Sequence, residues 1–378
     1  MNYIKVLDDI FKQFEGSKFG VRFWNNETQY YGSGDDTAFI LSITKPGVIK
    51  RLLAEGALGF GESYMNGTLD IEGDIEAYLK LRHQCKHVKS SPRLIMAKLW
   101  AELTKPKNRS EQIAYHYDLD TDFFSLFLDK ETMSYSAAHF ESEKDTLGQA
   151  QENKLTLICD WMNLPKDSQV LDLGSGWGGF AVHAAKIHGW HISGNTLSHK
   201  QLDYCNKLIK KNELEDQIKI TYEDFTNIEG SKKYDGAVMI EAIEHVGKGN
   251  LVSFLGDISR RLNDGAPFYL QFTGRYKPKL VDPWTLKYVF PGGHLPAKQE
   301  FLDAVEESGL VLEKFEDHTD DYKKTMSTWV DSIESHQSDI EKMFDEKFFR
   351  LWQLWTHGAS VNFDIGDMSL FRVLLRRK

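Results

Sequence analysis

Two rhythms of apolar and polar positions divide the chain. Near the N-terminus, residues 21–24 and 28–31 alternate and flank Asn25-Asn26-Glu27, which predicts a hairpin. Residues 38–43 read as a further strand that stops at Lys45-Pro46-Gly47, and residues 48–58 then carry helical spacing. The pattern predicts a small α+β accessory domain over residues 1–80. From about residue 150 the rhythm becomes strand, helix, strand. Short apolar runs at 169–173, 190–194, 218–222, 236–240 and 268–273 predict strands, with helices at 180–188 and 201–210 among them. Such alternation predicts an α/β fold with a parallel sheet covered on both faces.

Between these stretches the composition shifts. Arg82, Lys86, Lys89, Arg93, Lys98, Lys105, Lys107 and Arg109 are opposed by Glu102 alone, while Leu94, Ile95, Leu99, Trp100 and Leu103 recur at helical spacing. Residues 81–110 therefore predict a basic linker helix. It is either a connector with a solvated face or a surface for anionic lipid headgroups. The net charge of −10 argues against non-specific nucleic-acid binding. Cys85, Cys159 and Cys205 are odd in number and far apart, so neither a disulfide framework nor a metal is expected. The first 14 residues mix charge with apolar positions, unlike a signal peptide, and no run approaches the ~20 apolar residues of a membrane span. The expected location is cytoplasmic, with any lipid reached by peripheral membrane contact.

The chemistry concentrates at the first strand-to-helix turn of the sheet, Asp172-Leu173-Gly174-Ser175-Gly176-Trp177-Gly178-Gly179. In open α/β sheets ligands lie beyond the carboxyl ends of the strands, where glycines allow close backbone approach. The early acid separates this turn from a dinucleotide fingerprint, and no phosphate-loop lysine follows. It resembles the S-adenosylmethionine turn. Glu223-Asp224-Phe225 after the 218–222 strand supplies an acid and an aromatic, a pairing suited to adenine.

Further motifs extend the likeness. They are His116-Tyr117-Asp118-Leu119 with Asp122-Phe123-Phe124, Met133-Ser134-Tyr135-Ser136, and Gly194-x-Thr196-Leu197-Ser198-x-x-Gln201. Glu241-x-x-Glu244-His245-Val246-Gly247 and Tyr288-Val289-Phe290-Pro291-Gly292-Gly293-x-Leu295-Pro296 follow. From Ala57 to the C-terminus the sequence resembles the cyclopropane-fatty-acid synthases and their mycolic-acid relatives. Gly59-Phe60-Gly61-Glu62-Ser63-Tyr64-Met65 looks like the bacterial phospholipid-acting branch.

The resemblance implies a Rossmann-like, seven-stranded S-adenosylmethionine-dependent methyltransferase domain over residues 111–378, with an acyl-binding insertion around 276–365. It implies that Tyr135, Ser136, Asp172, Gly174, Gly176, Thr196, Gln201, Asp224 and Phe225 hold S-adenosylmethionine. Trp284, Tyr288, Phe290 and Trp355 would meet the acyl chain of an unsaturated phospholipid, and a homodimer is a family-level expectation. Glu244 would lie beside the transferred methyl group. In the family, a bound bicarbonate is thought to take the proton after the alkene has attacked that methyl. Its holders are a Cys, a Glu, a His, an Ile and a Tyr. Here Ala137, Gln271, Thr273 and Trp355 stand at the Cys, His, Ile and Tyr positions, so bicarbonate binding is expected to be weakened. Gln271, Glu244 and His139 are the catalytic candidates; His245 and His357 are further histidines to place. Removing a methyl proton with ring closure gives a cyclopropane, whereas other fates of the cation give a methyl-branched or methylene lipid. Small-molecule carbon methylation and a silent lipid-binding paralogue are the competing functions.

Overall fold

The computed structural model describes residues 16–84, 121–228 and 230–378, with isolated positions before residue 16. The predicted linker at 81–110 and the His116-Tyr117-Asp118 motif lie largely outside the described residues. The chain forms two compact units that interleave along the sequence. The first comprises Met1–Lys105, Asp282–Val289 and Ile333–Ile365; the second comprises Pro106–Val281, Phe290–Ser332 and Gly366–Lys378. The boundaries thus differ from three consecutive segments, because two pieces of the expected insertion belong to the first unit.

In the first unit, β1 (Phe19–Arg22), β2 (Thr28–Tyr31), β3 (Phe39–Ile43) and β4 (Leu69–Gly73) form a sheet in the order β2-β1-β3-β4. Helices Pro46–Glu55 and Ala57–Met65 replace the single expected helix, and Gly56 at φ +55° makes the break. Helix Pro283–Tyr288 is anchored in this unit. The Trp284 indole N–H donates to Met65 Sδ at 3.3 Å, while Lys287 and Tyr288 both donate to Glu62, at 2.7 and 2.8 Å. His357 sits between Glu334 and Glu76. Burial alone would lower it, but the hydrogen bond to Glu334 and the close Glu76 carboxylate push it up to about 9, so it is a charged residue.

The second unit holds a seven-stranded sheet. Its strands are β5 (Gln169–Asp172), β6 (His191–Thr196), β7 (Ile218–Tyr222), β8 (Gly236–Ile240), β9 (Pro267–Gly274), β10 (Leu310–Asp317) and β11 (Ser369–Arg377), ordered β10-β11-β9-β8-β5-β6-β7. β9, β8, β5, β6 and β7 run parallel; β11 pairs antiparallel with β9 and β10. Every residue of β9 is buried, as expected of a central strand covered on both faces. The chain reverses its direction of winding at β5, so a crevice opens between the carboxyl ends of β5 and β8. The β9–β11 register sets Gln271 opposite Arg372, which positions the network below the site. Among the described residues no helix is long and apolar enough to cross a membrane.

Candidate active site

The turn after β5 is tied to both neighbouring strands. Leu173 N–H donates to Val238 O (2.9 Å), Gly174 N–H to Asn195 Oδ1 (3.0 Å) and Ser175 N–H to Asn195 O (2.8 Å). Gly174 at φ +80° occupies a conformation that strains any residue with a Cβ. The cavity above this turn is lined by Tyr135, Ser136, Asp172, Gly174, Gly176, Thr196, Gln201 and Phe225 among others. Eight of the nine residues expected to hold the cofactor therefore share one cavity. Asp224 does not line it; its Oδ1 accepts from Thr226 N–H (2.8 Å) and Oγ1–H (2.6 Å), a local turn.

The cradle is held by side-chain bonds. Thr196 Oγ1–H donates to Gln201 Oε1 at 2.7 Å, and Ser198 caps helix His199–Lys211 by accepting from Gln201 N–H. Tyr135 stacks on Trp329 at 5.3 Å and meets Phe124 edge-on at 5.4 Å, making one wall aromatic. Gly179, first residue of helix Gly179–His188, meets Thr132 closely: a Cβ there would lie 2.5 Å from the Thr132 carbonyl oxygen. Gly179→Ala should therefore push back the Thr132–Ser136 wall and lower stability by about 1–3 kcal/mol. Denaturant titration checks this, and an unchanged midpoint would mean that the wall yields freely.

Charge in the cavity is concentrated on buried groups. Asp172 is 2% exposed, its Oδ2 has no partner among the described residues, and burial raises its carboxyl to about 7. Burial pulls Lys154 down to about 8 while its Nζ donates to Ser136 Oγ at 2.8 Å.

Glu241 is the residue that sequence reasoning passed over. It follows β8 at φ +50° and lines the cavity. Its Oε1 accepts from Ala137 N–H (2.7 Å) and Gln271 Nε2–H (2.8 Å), and its Oε2 accepts from Tyr322 O–H (2.7 Å). Burial raises Glu241, with the hydrogen bonds from Tyr322 and Gln271 opposing. Glu244 is not in the cavity lining. Its Oε1 accepts from Thr273 N–H, and burial followed by the Glu241 charge lifts it to about 8.

The remaining candidates fall in different places. Gln271 is fully buried behind Glu241, with its Oε1 accepting from Arg372 Nε–H (2.9 Å); this fixes which end of the amide faces the carboxylate. His139 does not line the cavity: its Nδ1 lies 2.8 Å from Asp321 Oδ2 in the Arg372 cluster. His245 does line it and packs against Phe290 at 6.0 Å. Trp284, Tyr288 and Trp355 belong to the first unit, and the phenol that reaches the carboxylate is Tyr322, not a residue at position 355. The sequence signal for Glu241 was the Glu-x-x-Glu spacing, in which only the second acid was given a role.

A sequence profile of the mycolic acid cyclopropane synthetase family matches residues 104–373, and residues 6–90 match a domain of unknown function. The cyclopropane-fatty-acyl-phospholipid synthase of Escherichia coli K12 is 30% identical over 89% of this chain and 87% of its own length. The tuberculostearic acid methyltransferase UfaA1 of Mycobacterium tuberculosis is 27% identical over 92% of this chain and 85% of its own. Among solved structures, mycolic acid cyclopropane synthase CmaA1 complexed with SAH and CTAB covers 73% of this chain and all of its own at a TM-score of 0.67 and 24% identity. With its cavity at the carboxyl ends of a seven-stranded sheet, this chain belongs to the mycolic acid cyclopropane synthetase family of S-adenosylmethionine-dependent, lipid-modifying methyltransferases.

Proposed function

We propose that the chain transfers a methyl group from S-adenosylmethionine to a carbon of an acyl-chain double bond in an unsaturated phospholipid. The observation that carries this reading is Asp172, a buried acid at the glycine turn with one oxygen unpartnered among the described residues. A carboxylate left so when buried is costly unless a cation meets it, and the cofactor's amino group is such a cation. Tyr135, Ser136, Gly174, Gly176, Thr196 and Gln201 would complete the cradle, and Phe225 would pack on the adenine. The bound cofactor supplies an electrophilic methyl group on a sulfonium. The chain's own residues orient that methyl, exclude water with the aromatic wall, and present ring faces to the positive charge that develops on the acyl carbon.

The E. coli relative favours phospholipid as the substrate and cyclopropane as the product. A methyl-branched or methylene product is the second reading. It is supported by the commitment of Gln271 and Ala137 to Glu241, which takes donors that an external anion would use, and by the likeness to a tuberculostearic acid methyltransferase. Trp284 and Tyr288 spend their polar groups inside the first unit, which leaves Phe290, packed on cavity-lining His245, as the best-supported acyl contact. The basic composition of residues 82–109 supports an attraction to anionic headgroups.

Incubation with methyl-labelled S-adenosylmethionine and phospholipid vesicles tests the reading. Label should enter the acyl chains of unsaturated vesicles and stay out of fully saturated ones. Equal labelling of both, or label confined to headgroups, would contradict it.

A further inference from the structure

We propose that the Glu241 carboxylate is the chain's own proton acceptor, built into the position where an external anion would otherwise sit. The inference rests on the methyl-transfer reading above. Glu241 combines two costs that a merely structural residue has no reason to bear. It holds a non-glycine backbone at φ +50°, and it sets a carboxylate in a cavity wall where burial opposes its charge. Among the described residues both its oxygens are met only by donors: two N–H groups on Oε1 and one phenolic O–H on Oε2. Three donors and no acceptor is the environment of an ionised carboxylate.

The donors come from three remote segments at 137, 271 and 322, and the next layer fixes them. Arg372 Nε–H holds Gln271 Oε1, which forces the Gln271 NH2 toward Glu241. The other ionisable groups nearby are less suited. Lys154 already donates to Ser136, Asp172 sits at the glycine turn, and Glu244 lies off the cavity wall.

The step balances without a further reagent. The alkene π pair forms a bond to the methyl carbon as the carbon–sulfur bond breaks onto sulfur, which leaves a cationic chain carbon. Glu241 takes a proton and becomes a neutral acid. The released C–H pair closes a ring if that proton leaves the new methyl group, or forms a C=C bond if it leaves the adjacent chain carbon. Because Glu241 occupies the donors of the pocket, added bicarbonate has no place there and no role.

Three proteins decide the matter: the wild type, Glu241→Gln and Glu241→Gly, each in carbon-dioxide-free buffer with and without bicarbonate. The wild type should turn over unsaturated vesicles at one rate in both buffers. Glu241→Gln should lose about a hundredfold in turnover, the scale of a missing general base, while calorimetry shows S-adenosylhomocysteine affinity within about threefold of wild type. Glu241→Gly relieves the positive φ, so it is the variant expected to fold well. It should be inactive without added anion and partly restored by bicarbonate or formate. Line broadening of 13C-bicarbonate should appear with Glu241→Gly and be absent with the wild type, a readout independent of turnover. A Gln variant as active as wild type, a wild type that slows when bicarbonate is removed, or broadening by the wild type would each overturn the proposal. If the wild type labels no acyl chain, the methyl-transfer reading fails and the base role with it. The carbon-13 comparison then reports separately on whether Glu241 fills the anion pocket.

Discussion

Arg372→Leu is expected to destabilise the second unit by about 3–5 kcal/mol, the scale for removing one partner of a buried ion pair. Arg372 is fully buried on β11 and makes every one of its contacts count. Its Nη1 donates to Asp321 Oδ2 at 2.8 Å, its Nη2 to Ala138 O at 2.9 Å and its Nε to Gln271 Oε1 at 2.9 Å. Burial by itself would raise Asp321. Hydrogen bonds from His139 and His318, followed by the Arg372 charge, hold it well below the ordinary carboxylate range. A carboxylate so depressed contributes stability above its unfolded-state pKa and loses it as pH falls toward the folded value. Deleting the guanidinium strands that charge, so the destabilisation should be largest near neutral pH and shrink in acid. The double variant Arg372→Leu with Asp321→Leu should recover part of the loss, because no lone charge remains. Urea denaturation of the single and double variants checks both statements. A loss below about 1 kcal/mol for the single variant would show the cluster to be well solvated.

Asp172→Asn should weaken cofactor binding by about a hundredfold, corresponding to about 2–3 kcal/mol for a charge-assisted hydrogen bond. It should do so without harming the fold. Asp172 is buried with an unpartnered oxygen, and burial lifts it to about 7, so in the free protein the neutral amide costs no more than the acid. The sign of the pH effect follows. Pairing with the cofactor's ammonium needs the ionised acid, so wild-type affinity should rise from about pH 5 to about pH 7 and level off above it. The Asn variant should show little of this rise. Titration calorimetry with S-adenosylhomocysteine across that range measures it. Equal affinity in the two proteins would mean that another residue meets the amino group.

How much of this was legible in the sequence depends on the range of the contacts involved. The parallel core was, because a buried strand is a local apolar run. β7 and β8 fall on residues 218–222 and 236–240 as expected, and β5 and β6 differ by a residue or two. β10 was missed because Glu313, Lys314, Glu316 and Asp317 disguise an edge strand. β11 was missed because its centre is Arg372, a buried cation whose partners lie about 50, 100 and 230 residues away. The glycine turn could be read because its chemistry is contiguous. Glu241 could not, since its partners at 137, 271 and 322 are brought together only by the ends of β8 and β9 and by helix Thr319–Ser335. His139 looked catalytic from its closeness in sequence to Tyr135 and Ser136, but the chain turns its ring toward Asp321. The interleaving of the two units is likewise invisible to composition, which assigns domains as consecutive blocks.

Methyl transfer to an acyl double bond can be followed with S-adenosylmethionine carrying a fully deuterated methyl group. Mass spectrometry of unsaturated phospholipid vesicles after incubation should show the label in the acyl chain and the original double bond consumed, displaced or itself carrying the labelled methyl. Retention of two of the three deuterons would mean that the proton leaves the methyl group, as both ring closure and a methylene group require, and the presence or absence of a C=C bond separates those two. Retention of all three would assign the lost proton to the chain and the product to the methyl-branched class. An acyl chain that gains no deuterium, from protein that binds the cofactor in the same sample, would rule out methyl transfer to the lipid.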